Sequence, residues 1–173
     1  VDMEGVPDRG LYYLIGVLVC QADTMTPYAF WADTAQEERH IWQQFVHLVR
    51  QYPDAPIYHY GSYEPRALLT LAKRYQTDSE HITKRLVNVN SFIYGEVYFP
   101  VRSNGLKDIG HFIGAQWTSP QASGLQSLVW RYHWEQTQEQ TAKDFLLTYN
   151  AEDCRALQLL TDELSTIQGS ADI

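Results

Sequence analysis

Val1 to Glu4 alternates along the chain, with Val1 and Met3 on one face and Asp2 and Glu4 on the other, and then meets the turn cluster Gly5-Val6-Pro7-Asp8. This pattern predicts a strand that ends in a turn. Leu11 to Cys20 is a run of Leu, Val, Ile and Tyr bounded by turn signals, and Tyr28 to Ala32 follows the break at Thr24 to Pro27, so a three-stranded antiparallel meander is expected. Thr34, with Glu38 close behind, is placed to cap a helix in which Ile41, Phe45, Leu48 and Val49 recur at helical spacing until Pro53. Ala55 to Tyr60 reads as a short strand ended by Gly61. Glu64 to Tyr75 reads as a helix with an apolar stripe of Ala67, Leu68, Leu71 and Ala72.

Beyond it the pattern predicts a short helix from Ser79 to Leu86, an irregular aromatic stretch from Val87 to Pro100, and helices over Asn104 to Ile113 and Ala122 to Trp134. A long final helix, Glu139 to about Ile167, buries Phe145, Leu146, Tyr149, Ala156, Leu157 and Leu160, and a polar tail closes the chain. The expected fold class is α/β: a mixed sheet, the antiparallel meander plus parallel strands, flanked by helices. One domain is expected over residues 1–168, with 169–173 as the tail. The start at Val1, inside a strand, is expected to reflect excision from a longer multidomain protein.

With 45% hydrophobic and 20% charged residues the chain has the composition of a folded globular domain. Its longest apolar run, Leu11 to Cys20, is about half of the roughly 20 residues a membrane helix needs, so a soluble, cytoplasmic protein is expected, without a membrane partner. Cys20 and Cys154 form no disulfide framework or zinc pattern, and both thiols are expected to be buried. The six histidines lack a metal-ligand spacing, and His59 is expected to be a structural hydrogen-bond partner. No phosphate-cradling or dinucleotide-binding glycine motif is present. A formal charge of −8 argues against a broad cationic nucleic-acid face but not against a metal-dependent nuclease, which concentrates carboxylates and reverses the local field with the cations they bind.

Three carboxylate elements carry candidate chemistry. Asp2 and Glu4, two apart on a strand, share a face and stand within about 7 Å, so on a central strand they need a counter-ion. Tyr149 and Asp153, four apart on the last helix, stack a hydroxyl beside a carboxylate. Glu64 opens a helix just after a strand that ends in His59-Tyr60-Gly61. Each element alone also fits an ordinary structural role: an exposed strand edge, a core tyrosine with a surface charge, or a helix-dipole partner.

Taken in order, the stretches Val1-Asp2-Met3-Glu4-Gly5, Tyr58 to Glu64, Ser103-Asn104-Gly105-Leu106-Lys107 and Tyr149-Asn150-Ala151-Glu152-Asp153-Cys154 span almost the whole chain. They resemble the DEDD 3′-5′ exonuclease superfamily of ribonuclease-H-like fold, in its tyrosine-type subgroup. The nearest likeness is to its RecB-like or YprB-like ribonuclease H branch. The resemblance implies a metal-dependent nuclease that removes nucleotides from the 3′ end of single-stranded DNA or RNA with two Mg²⁺ or Mn²⁺ ions. Carried over to this chain, Asp2 bridges both ions, Glu4 and Asp153 complete one shell, Glu64 holds the second ion, and Tyr149 orients the attacking water.

Glu64 departs from the Asp usual in the wider superfamily, which places the second ion in question. The resemblance also implies covalently linked RecB-like nuclease or helicase domains in the parent protein. Lys107 and Arg102 are candidate phosphate contacts. Tyr63, with Tyr58, Tyr60, Tyr94, Tyr98 and Trp117, is a candidate for stacking unpaired bases. Two rivals stay open: a binding domain of the same fold without catalysis, and a structure-selective endonuclease using the same carboxylates.

Overall fold

Alternation places Met3 in the core and Glu4 on the opposite face of the first strand, β1 (Asp2–Val6). The computed structural model describes residues 1–171, with side chains to residue 167. β1 pairs antiparallel with β2 (Leu11–Gln21), which pairs antiparallel with β3 (Thr24–Trp31), so the expected meander is present in the order β1-β2-β3. β3 starts four residues before the Tyr28 expected from sequence. Its Pro27 is tolerated because β3 is the sheet edge, where a missing N–H breaks no ladder.

The helix after the meander is α1 (Glu38–Gln51), entered through a short 3₁₀ turn, Ala35–Glu37. Thr34 does cap this segment, but its capping-box partner is Glu37 rather than Glu38. Glu38 is instead buried, accepting from the Tyr12 N–H at 2.7 Å, from the Tyr75 hydroxyl at 2.5 Å and from the Arg74 guanidinium. β4 (Ile57–His59) and α2 (Tyr63–Arg74) follow as the sequence predicts.

The next segment holds what the sequence pattern missed. The expected helix from Ser79 to Leu86 is one turn, α3 (Glu80–Thr83), and Leu86 belongs to a strand, β5 (Leu86–Asn88), parallel to β4. A three-residue strand carries no periodicity of its own, and a parallel partner far back in sequence defines it. α4 (Asn90–Ile93) interrupts the stretch expected to be irregular. The Val1 backbone nitrogen donates to the Tyr58 carbonyl at 2.8 Å and so joins β1 to β4. Asp2 and Glu4 consequently lie where the two small sheets meet.

α5 (Leu106–Phe112), α6 (Gly124–Thr137) and α7 (Gln140–Ala171) complete the chain. α7 continues past Ile167 to Ala171, through part of the segment assigned to a tail, of which residues 172 and 173 lie outside the described residues. Of its expected buried residues, Phe145 is 41% exposed and stacks on Trp130; Leu146, Tyr149, Ala156, Leu157 and Leu160 are buried. Cys154 is buried but Cys20 is exposed, against the expectation for both, because β2 runs past the end of β1 and leaves its last residues uncovered. No helix among the described residues is long and apolar enough to cross a membrane.

The main core packs Leu14 and Ile15 of β2 against Ile41, Trp42 and Phe45 of α1, Leu68 and Leu71 of α2 and Leu146 of α7. A second cluster joins Val89, Ile93, Ile109, Leu157 and Leu160. Arg131 of α6 is 1% exposed and ties that helix to the end of β3. Its guanidinium donates to the Ala32 and Asp33 carbonyls and to Glu135, each at 2.8 Å, and lies over the Tyr13 and Trp31 rings.

Arg131→Ala leaves two carbonyls without their donor and opens a void, so a loss of about 3 kcal/mol is expected in urea unfolding. An unchanged midpoint would show that the buried guanidinium is not a structural tie.

Candidate metal centre

β1 delivers Asp2 and Glu4, and α7, packed across that strand, delivers Asp153. Carboxylate oxygens of these three residues lie within 4.8 Å of one another. Glu4 and Asp153 are buried and Asp2 is partly so. Two residues apart on a strand and four apart on a helix are the spacings that brought Asp2, Glu4, Tyr149 and Asp153 forward from sequence. The structure brings the three carboxylates to one point and turns the Tyr149 hydroxyl toward Asp153.

Burial makes this cluster costly as free anions. It pushes Glu4 up to about 8 and, with the neighbouring charges of Asp153, Glu4 and Glu64, raises Asp2 well above the usual carboxylate range. Asp153 is raised for the same reason, opposed by hydrogen bonds from Trp117 and Tyr149 and by the charge of Lys107. Burial also keeps the Tyr149 phenol protonated far into the alkaline range.

Glu64, in the first turn of α2, lies outside the three-carboxylate group. It is 5% exposed, its Oε2 lacks a hydrogen-bond partner among the described residues, and burial raises it to about 7. Its charge still acts on Asp2 and Glu4.

Lys107 is the cation beside the cluster. Its ammonium lies 4.3 Å from the Tyr149 ring centroid and donates to the Ala122 carbonyl. Burial lowers its pKa while Asp153 and Glu4 oppose that shift. Tyr63 also flanks the site: its hydroxyl lies 2.7 Å from where a Gly5 Cβ would stand, and Glu4 helps burial to raise its pKa. Arg102 is exposed between α4 and α5, and no hydrogen bond or ion pair ties it to the carboxylates among the described residues.

Of the other aromatics considered for stacking, Tyr94 and Tyr98 are 79% and 87% exposed, Tyr58 is on the surface, and the Tyr60 hydroxyl is taken by the Asn104 carbonyl. Trp117 has another task than an open stacking platform, because its indole N–H donates to Asp153 at 2.7 Å while its ring packs over Gly110. Glu152 accepts from the Thr118 N–H at 2.8 Å and hydroxyl at 2.5 Å. His59 is 3% exposed; its Nδ1 has no partner among the described residues, but a hydrogen bond with the Gly61 backbone fits the expected structural role, and burial lowers its pKa.

Sequence reasoning missed Ser127, which donates to Glu4 at 2.7 Å, and the contact of Asn150, which donates to Asp2 at 2.6 Å. Asn150 stood inside the quoted Tyr-Asn-x-x-Asp stretch, whereas nothing in the α6 sequence marks Ser127.

The donors at the centre are all carboxylate oxygens, the hard ligands that Mg²⁺ and Mn²⁺ prefer. Cys154, next to Asp153, is no competing soft ligand, since burial pushes its thiol up to about 12. A divalent cation fits the residues present, because it compensates the charge that burial penalises.

The family model described as RNase_H superfamily matches residues 1–165, and the chain belongs to that superfamily. The mixed α/β architecture agrees with it. No curated protein and no solved structure matches the chain. Membership supports a nuclease-like function on a nucleic-acid substrate, with divalent metal as the general requirement of such nucleases.

Proposed function

We propose that this domain, over residues 1–168 of a longer chain, is a phosphodiester hydrolase that removes nucleotides from the 3′ end of single-stranded DNA or RNA with two Mg²⁺ or Mn²⁺ ions. The observation that carries the reading is the convergence of the buried Asp2, Glu4 and Asp153 carboxylates. Asp2, Glu4 and Asp153 would hold one ion, and Asp2 with Glu64 would hold the other. When bound, the ions supply Lewis acidity at the phosphoryl oxygens and charge opposite the entering and leaving oxygens.

The chain's own groups do the rest. Tyr149, held protonated by burial, orients a water through its hydroxyl rather than acting as a base. Lys107, beside the same carboxylates, meets a substrate phosphate, and Arg102 meets one farther along the strand. Tyr63, at the rim and 41% exposed, offers a ring face for the terminal base. In the parent protein the domain works alongside linked RecB-like nuclease or helicase domains.

One observation favours a second reading, a binding domain without turnover: Glu64 stands outside the three-carboxylate group. A 5′-labelled single-stranded oligonucleotide, as DNA and as RNA, separates the readings when incubated with Mn²⁺, Mg²⁺ or EDTA. A ladder shortening from the 3′ end, absent in EDTA and absent with circular strands, is the expected result. Cut circles would replace the exonuclease by an endonuclease, and no cleavage of any substrate would favour the binding domain.

A further inference from the structure

We infer that Asn150, Ser127 and Trp117 are positioning residues that aim the Asp2, Glu4 and Asp153 carboxylates, and that the missing side chain at Gly16 is what lets Asn150 reach Asp2. The inference rests on the cation-dependent reading of this centre and concerns how the protein orients its ligands.

Each carboxylate accepts from a neutral donor outside the cluster, and Asp153 accepts from the Tyr149 hydroxyl as well. Asn150 Nδ2 holds Asp2 Oδ2 at 2.6 Å, Ser127 Oγ holds Glu4 Oε2 at 2.7 Å, and Trp117 Nε1 holds Asp153 Oδ1 at 2.7 Å. The donors come from α7, from α6 and from the loop between α5 and α6, so three separate elements converge on the cluster. Asn150 and Ser127 are each 1% exposed, which fixes both donors by packing. Asp2 Oδ1 and Glu4 Oε1 take part in no side-chain hydrogen bond among the described residues. A neutral donor fixes a carboxylate's rotamer without cancelling its charge, whereas Lys or Arg in the same place would compete with a cation for it.

Gly16 gives the arrangement its steric signature. It lies directly across from Asp2 in the β1/β2 ladder, in the middle of a long strand where glycine ordinarily weakens the structure. A Cβ on Gly16 would stand 1.7 Å from Asn150 Oδ1 and 2.7 Å from its Cγ. Any other residue at 16 therefore expels the Asn150 amide from its place beside Asp2.

Mn²⁺ titration by calorimetry, with melting in EDTA as the control for folding, tests this on the wild type and on Asn150→Ala, Ser127→Ala, Trp117→Phe, Gly16→Ala and Gly16→Ala/Asn150→Ala. Each of the first three is expected to bind Mn²⁺ about tenfold more weakly, the usual effect of losing a ligand's orienting partner. Gly16→Ala is expected to lower the metal-free melting temperature. The double variant recovers that stability, because the clash is gone, yet keeps the weakened affinity of Asn150→Ala. Folded variants that bind Mn²⁺ as the wild type does would overturn the positioning role and leave the metal centre standing. A wild type that binds no Mn²⁺ would overturn the reading beneath it, and the inference with it.

Discussion

Asp153→Asn and Asp2→Asn are each expected to reduce cation-dependent cleavage by at least about a thousandfold, since the lost charge removes several kcal/mol of stabilisation at the reacting phosphate. Asparagine keeps the size of the side chain and an oxygen to accept from Trp117 or Asn150, so neither change opens a cavity. Without metal the same variants are expected to melt no lower than the wild type, and higher above neutral pH. Burial penalises the charged form of both carboxylates, and the amide removes that penalty. Loss of activity with retained or increased stability separates a functional carboxylate from a structural one. Cleavage in Asp153→Asn within tenfold of wild type would remove Asp153 from the reacting centre.

The second large effect is on stability against pH. Glu4 is raised by burial to about 8 and Glu64 to about 7, so between the ordinary carboxylate range and those values the folded protein holds protons that the unfolded chain has released. The contribution is fully present below about pH 4.5, and it is lost as pH rises through about 7 to 8. Asp33 and Glu135 act oppositely: hydrogen bonds from Trp31 and Lys143, and from Arg9 and Arg131, hold them low despite the opposing effect of burial, so they lose stability at strongly acid pH. The metal-free protein is therefore expected to melt highest under mildly acid conditions and about 5–10 °C lower near pH 8, a few kcal/mol for a domain of this size. Mn²⁺ reverses the trend, since a cation binds the deprotonated ligands and displaces their protons. Scanning calorimetry from pH 5 to 8.5, with EDTA and with Mn²⁺, reads both effects. Parallel curves in the two conditions would mean that these carboxylates do not meet the ion.

The candidate site was legible to the extent that its chemistry is local. Asp2 and Glu4 share a strand face and Tyr149 and Asp153 a helix face by backbone geometry alone. Glu64 could be placed at a helix start, but not at its distance from the other carboxylates. Its burial and its unpartnered oxygen follow from how α2 packs against β1. Trp117 shows the limit most clearly, since an aromatic in a polar loop suggested a surface for bases and the structure spends its N–H on Asp153. The exposed Cys20 and the short β5 escaped for the same reason: cover and pairing depend on strands distant in sequence.

The sequence by itself determined the meander, the amphipathic helices and the order of the acidic residues, because side-chain period and turn chemistry act over a few residues. Only the tertiary structure decided which carboxylates meet, which oxygen of each is held, and why β2 carries a glycine opposite Asp2. Those outcomes depend on contacts such as Asn150 with Asp2 and Ser127 with Glu4, which bring together positions 148 and 123 residues apart. Hydrogen bonds and excluded volume act over a few ångströms in space, and packing alone sets which distant residues come that close.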